Sequence, residues 1–201
     1  AAWNDKDVNN IPIYEPGLET IFTKNIEAGR LSFTTNLAEG IQNAEIIFLA
    51  LPTPSDEDGS ADLSYVSKCA EAISPLITDY KIIVNKSTVP VGTAEMVSNI
   101  LSEKATAPFD VVSNPEFLRE GSALKDFMNP DRVVIGSSSQ RAIEKMSALY
   151  APFIQDENQI VIGDEKSAEM SKYAANAYLS ARLTFMNEIA TLCEKVGANV
   201  D

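Results

Sequence analysis

The sequence predicts an α/β fold: an open, doubly wound parallel sheet, lacking its first strand-turn-helix-strand and followed by one long helix. Three observations predict it. Short apolar runs recur along the chain, each closed by Pro, Asn or a polar turn, as strands buried on both faces of a parallel sheet require. The stretches between them carry apolar residues at helical spacing, which suits crossovers between parallel strands. From Ser167 onward neither Gly nor Pro occurs until Gly197, so roughly thirty residues can form one helix.

Taken in order, Gly17 follows a proline and reads as a helix start. Glu45 to Leu51 is a continuous apolar run closed by Pro52 and reads as a strand. Ser64 to Leu76 carries Val66, Cys69, Ala70 and Ile73 on one helical face and crosses to a second strand at Lys81 to Lys86. Thr93 to Lys104 is the next crossover, ended by Pro108, and Phe109 to Ser113 and Arg132 to Gly136 are two further strands. Ala142 to Tyr150 reads as a helix and Gln159 to Ile162 as a short strand. A helix longer than a crossover links domains or forms a dimer face, which divides the chain near Asp164 into residues 1–164 and 165–201. Ala1 to Asn10 give no strand, and no GxGxxG occurs. A doubly wound nucleotide domain opens with a strand, a glycine turn and a helix, so the chain is expected to be a fragment of a longer protein.

Composition excludes several function classes. The 201 residues are 45% apolar and 22% charged, as in a soluble globular protein. A formal charge of −13 opposes binding to nucleic acid or to anionic membrane surfaces. No apolar run is long enough to span a bilayer, and no secretory signal opens the chain. With no histidine, a Ser-His-Asp triad and a histidine metal site are impossible. Cys69 and Cys193 have no metal-ligand spacing and sit at apolar helical positions, which fits a reducing, cytoplasmic setting and no bound metal. Acid-base work must fall to Lys, Asp, Glu or a held water.

The candidate chemistry lies where strands end, because open α/β sheets bind ligands at their carboxyl edge. Thr53, in Pro52-Thr-Pro54 after the first strand, is either part of a rigid turn or a donor to a ribose or phosphate. Lys86-Ser-Thr-Val-Pro-Val-Gly-Thr93 closes the second strand and leads into a helix N-terminus; Thr88, before a proline, has a hydroxyl free for a water or ligand. In Asn114-Pro-Glu-Phe-Leu-Arg-Glu-Gly121, a helical turn after Pro115 would put Glu116 and Glu120 on one face, as a carboxylate pair or simply as favourable N-terminal charges. On the long helix, Glu169, Lys172, Tyr173, Asn176 and Leu183 form a stripe in which Lys172 and Asn176 would project side by side, able to stabilise an oxyanion.

In their order, these segments resemble the UDP-glucose/GDP-mannose dehydrogenase family across essentially the whole chain. The matching stretches are Ile11-Pro-Ile-Tyr-Glu-Pro-Gly-Leu18, Pro52-Thr-Pro54 with Asp58-Gly-Ser-Ala-Asp62, Lys86 to Thr93, Asn114 to Gly121, and Ala168-Glu-Met-Ser-Lys-Tyr-Ala-Ala-Asn176. The resemblance implies a Rossmann-like NAD-binding domain and oxidation of a sugar C6 alcohol to a carboxylate by two hydride transfers to NAD, through a cysteine thiohemiacetal. It assigns Thr53 to the cofactor, Thr88 and Glu120 to the cofactor and to the water that completes the reaction, and Glu116, Phe117 and Leu118 to the sugar nucleotide. It assigns Lys172 and Asn176 to substrate binding and oxyanion stabilisation. Asn129 to Gly136 looks more like the UDP-glucose branch than the GDP-mannose branch, which implies UDP-glucose as substrate and a homodimer through the long helix. The family's glycine-rich loop and its catalytic cysteine stretch are absent from this sequence. The fragment alone is therefore expected to be inactive, and a non-catalytic module with a dimerisation helix is the alternative. A 6-phosphogluconate-type dehydrogenase shares the helix-linked layout but not the Asn-Pro-Glu-Phe-Leu segment.

Overall fold

A computed structural model describes residues 13–200. Ala1 to Asn10, expected to lack a strand, lie outside the described residues, as do Ile11, Pro12 and Asp201. The chain runs through helices α1 (Leu18–Glu27) and α2 (Leu37–Gln42), strand β1 (Ile46–Leu49), α3 (Ser64–Ile73), β2 (Lys81–Asn85), α4 (Thr93–Ser102) and β3 (Phe109–Ser113). It continues through α5 (Ala123–Met128), β4 (Val133–Gly136), α6 (Gln140–Tyr150), β5 (Ile160–Gly163) and α7 (Glu165–Val196).

The five strands form one sheet in the order β1-β2-β3-β4-β5. Period-2 alternation sends successive side chains to opposite faces, and each face has its own core. Leu49 and Ile83 pack with Val66, Ala70 and Ile73 of α3 and Val97 and Leu101 of α4. Ile82, Val84, Val112 and Ile135 pack on the other face with Ala142, Met146 and Tyr150 of α6. Helices on both faces make the sheet doubly wound, as the apolar runs predict. The sheet is nevertheless mixed: β1, β2 and β3 are parallel, β4 is antiparallel to β3 through the single pair Ser113↔Gly136, and β5 is parallel to β4. The β3–β4 connection carries only the short α5, so the chain turns back rather than crossing over.

Helix α7 has 32 residues, with Asp164 as N-cap accepting from the Ser167 backbone N–H, and Gly197 closing it in the left-handed conformation. Its first turns belong to the sheet: Ala168, Glu169 and Lys172 are buried. This approach depends on Gly136. A Cβ there would lie 2.4 Å from the Ala168 Cβ and 2.8 Å from the Asp164 carbonyl oxygen. Gly136→Ala should therefore destabilise the fold by about 3 kcal/mol or more, read as a lowered urea midpoint at unchanged slope. An unchanged midpoint would mean that α7 does not pack here.

Candidate active site at the carboxyl edge of the sheet

The loops after β1 and β2 meet. The Thr53 hydroxyl donates to the Thr88 carbonyl oxygen at 3.0 Å, and the Ser87 hydroxyl donates to the Leu51 carbonyl oxygen at 2.7 Å while accepting from the Leu51 N–H. Thr53 and Thr88 are both half-buried. The two strand-end loops are thus joined directly through Thr53 and Thr88.

The helix N-terminus that follows the β2 loop is already filled. Gly92, with φ of 99°, is the N-cap of α4, and Thr93 instead donates its hydroxyl to the Pro90 carbonyl oxygen. The Gly92 and Ala94 N–H groups donate to the two carboxylate oxygens of Glu169 at 2.7 and 2.8 Å, and the Ser113 hydroxyl joins them at 3.3 Å. A carboxylate from α7 thus occupies the place where such a terminus otherwise holds a phosphate.

The segment after β3 corrects the carboxylate pair. Residues 114–119 form neither helix nor strand, and α5 begins only at Ala123. Glu116 and Glu120 therefore share no helical face. Glu120 is exposed in the turn at Gly121, outside the cavities that Glu116 lines. Glu116 instead pairs with Lys172, whose ammonium lies 3.2 Å from Oε1. The Phe117 ring is sandwiched by cations, with Lys172 5.4 Å from its centroid and Arg132 at 4.2 Å. Leu118 is exposed at the rim of a cleft of about 450 Å³ whose walls also include Arg119, Lys125, Asn129 and Arg132. Lys172 is only 8% exposed, whereas Asn176, one turn on, is exposed. The two do not project into one environment, because α7 leaves the sheet between them.

Three groups were not singled out by sequence reasoning. Lys86 lines a cavity of about 30 Å³ with Asn114, Glu116 and Tyr150. Burial pushes its ammonium down to about 8, with Lys172 adding to the effect and Glu116 opposing it. Asn85 is buried with neither amide atom hydrogen-bonded within the protein, and it lines a small space with Ser113, Glu169 and Lys172. Glu15 accepts from the Gly121 and Ala123 N–H groups at 2.8 and 3.2 Å, tying the turn before α1 to the far end of the Glu116 loop. Only the change from apolar to polar residues at the end of β2, Asn85 and then Lys86 just beyond the strand, hinted at them.

Arg119 grips Asp126 with its backbone N–H, Nε and Nη2 at 3.0, 3.0 and 2.7 Å, and this hydrogen bonding holds the Asp126 carboxyl down to about 2. The carboxylate's contribution to stability is complete above the usual Asp range near ~4 and is lost as pH falls through about 2. Arg119→Ala should move the Asp126 carboxyl titration, followed by NMR, up toward ~4.

Comparison with known proteins then decides the family. The UDP-glucose/GDP-mannose dehydrogenase family's NAD binding domain matches residues 3–154, and its central domain matches residues 166–201. The chain belongs to the UDP-glucose/GDP-mannose dehydrogenase family. It is 48% identical over 196 residues to a UDP-glucose 6-dehydrogenase of Pseudomonas aeruginosa, covering 95% of this chain and 43% of that protein. It is 48% identical over 192 residues to the UDP-glucose 6-dehydrogenase TuaD of Bacillus subtilis, covering 94% of this chain and 41% of that protein. Among solved structures, a UDP-glucose dehydrogenase from Pyrobaculum islandicum superposes with a TM-score of 0.89 at 40% identity, covering 94% of this chain and 44% of that one. A GDP-mannose dehydrogenase from Pseudomonas aeruginosa gives 0.85 at 32% identity, with the same coverages. The chain thus spans less than half the length of these relatives. The NAD-binding domain of this family is therefore what most of the described residues form, and NAD is its cofactor. The strand ends fit part of such a group: Thr53 and Thr88 are half-buried polar residues there, while the α4 terminus, closed by Glu169, offers no pyrophosphate seat.

Proposed function

We propose that this chain contributes the central crevice of an NAD-dependent nucleotide-sugar 6-dehydrogenase that converts UDP-glucose to UDP-glucuronate. The observation that carries this reading is the pair of buried Lys172 with half-buried Glu116, which joins the long helix to the strand-end loop beside Phe117. The overall reaction balances as R-CH2OH + 2 NAD⁺ + H2O → R-COO⁻ + 2 NADH + 3 H⁺.

Thr53 and Thr88 hold the cofactor against the carboxyl edge of the sheet; the bound cofactor supplies the hydride acceptor. Phe117 and Leu118 flank the sugar nucleotide, and Glu116 orients the Lys172 ammonium toward the reacting carbon. Lys172 and Asn176 stabilise the alkoxide-like oxygen that develops there, since a charged donor in a dry site is far stronger than in water. Thr88 and Glu120 position the water that enters the second oxidation, with Glu120 brought in from its exposed turn when substrate orders the 114–121 loop. The thiol implied by the family resemblance is no part of these residues, so residues 1–164 serve as a partial cofactor domain and 165–201 as the start of the next. The reading also takes the site to be cytoplasmic: Cys69 and Cys193 are free thiols. Among the described residues, no helix is long and apolar enough to cross a membrane, and no cluster able to hold a metal occurs.

The test is stoichiometry in the full polypeptide. Two NADH per UDP-glucose are expected, with GDP-mannose a poor substrate. One NADH per sugar would overturn the four-electron reading, and preference for GDP-mannose would reassign the branch. A second reading, a dimerisation module, rests on α7 beyond Lys172, where Tyr178, Leu179, Leu183, Phe185, Met186, Leu192 and Val196 are all exposed. The two readings are compatible: this face suits a second copy of the same helix in a homodimer, and sedimentation of a Leu183→Glu/Phe185→Glu variant as a monomer would support it.

A further inference from the structure

The charged groups around Lys172 and Glu116 are unevenly partnered. Its ammonium lies 3.2 Å from Glu116 Oε1, while Oε2 of the same carboxylate is buried with no hydrogen-bond partner. Lys86 lines the adjoining cavity of about 30 Å³ together with Glu116, a volume with room for a bridging water. Among the described residues, the Lys86 ammonium has one hydrogen bond, a long 3.4 Å contact to the Asn114 amide oxygen. That oxygen already accepts from the Tyr150 hydroxyl at 2.6 Å. A buried ammonium and a buried carboxylate oxygen thus each lack a full partner across one small space, and each is the other's remedy.

We propose that Lys86 is a positioning residue of this site: it is the second cation on Glu116, and by sharing that carboxylate it leaves the Lys172 ammonium free to stabilise a substrate oxyanion. At Glu116 itself, two ammonium groups share one carboxylate, whereas Lys172 alone would be matched to it one to one; the Glu169 carboxylate is turned to the α4 terminus. The other charged groups that face Lys86 are engaged. Asp126 is bound by Arg119, Arg132 lies over Phe117, and Glu169 beside Lys172 is taken by Gly92, Ala94 and Ser113. The Tyr150 phenol is pushed up to about 12 by burial and stays neutral. Lys86 is therefore the group whose proton sets the charge of the cluster near pH 8.

This inference rests on the role proposed for Lys172, and the test separates the two. In the full polypeptide, Lys86→Met should lower kcat about tenfold while KM for the nucleotide sugar changes less than about threefold. Lys86→Arg, permanently charged, should restore most of kcat and remove the fall that the unsubstituted enzyme shows as pH rises through about 8. Equal losses in both variants with an unchanged alkaline limb would overturn the proposal. Independently of turnover, NMR of the lysine ammonium groups in the unliganded protein should show Lys86 titrating lower in Glu116→Gln and higher in Lys172→Met. Absence of these opposite shifts would also overturn it. Shifts of the expected sign in a protein that does not oxidise nucleotide sugars would uphold the charge sharing and sink the functional reading.

Discussion

Lys172→Ala should lower kcat of the full polypeptide by about 10²–10³-fold and also weaken the fold. The catalytic loss follows from geometry. Lys172 is the ammonium on α7 that reaches the strand-end loop, 8% exposed and 3.2 Å from Glu116. In so dry a place no water can replace it as a charge for a developing oxyanion. The stability loss follows from the partner left behind. Glu116 already has one buried oxygen without a hydrogen bond, and removing Lys172 would leave the carboxylate with Lys86 alone across the cavity. Breaking such a pair costs about 3 kcal/mol. The Lys172→Ala/Glu116→Gln double variant should recover part of the stability, because the Glu116 carboxylate is no longer stranded even though Lys86 loses its anionic partner, and none of the rate. Lys172→Arg should not rescue turnover, since a planar guanidinium cannot place a point charge where the ammonium sits. Unfolding curves and pre-steady-state hydride transfer measure the two effects separately; a loss of less than about tenfold in hydride transfer would remove Lys172 from the chemistry.

The parts of this protein that were legible in its sequence are those whose signal is local. The runs at Ile46–Leu49 and Lys81–Asn85 are strands as expected, although only the second is buried throughout and Phe48 of the edge strand is exposed, and α7 is long, since nothing between Glu165 and Val196 breaks a helix. What the sequence did not reveal depended on contacts distant along the chain. The direction of β4 is set by a connection too short in helix to cross the sheet. Glu116 was legible as a carboxylate at a strand end, but its partner was sought four residues away at Glu120. The partner is Lys172, 56 positions on, and the irregular path of residues 114–119 leaves Glu116 facing it rather than Glu120. Asn176 was placed beside Lys172 by helical spacing alone; spacing gives a shared face but not the point at which a long helix leaves its support.

That point of departure is set by Glu169, which is why the second large effect is expected there. Glu169 is 3% exposed, and its two oxygens take the Gly92 and Ala94 N–H groups together with the Ser113 hydroxyl. The carboxylate closes the positive end of α4, where two backbone donors have no intrahelical partner. Glu169→Ala would strand both donors in a buried setting, each at a cost of about 1–3 kcal/mol, so a total of about 3–5 kcal/mol is expected, read as a fall in the urea midpoint. Glu169→Gln keeps one good acceptor and should lose less than half as much. Because Lys172 lies one turn further along the same helix, loosening this anchor should also lower kcat, and more steeply than it raises KM. The anion held at α4 further predicts where phosphate does not go: inorganic phosphate should protect Glu169→Ala against unfolding, by entering the emptied helix terminus, and should leave the unsubstituted chain unaffected. Equal protection of both proteins would mean that the terminus is open after all, and that Glu169 is not what fixes α7 to the sheet.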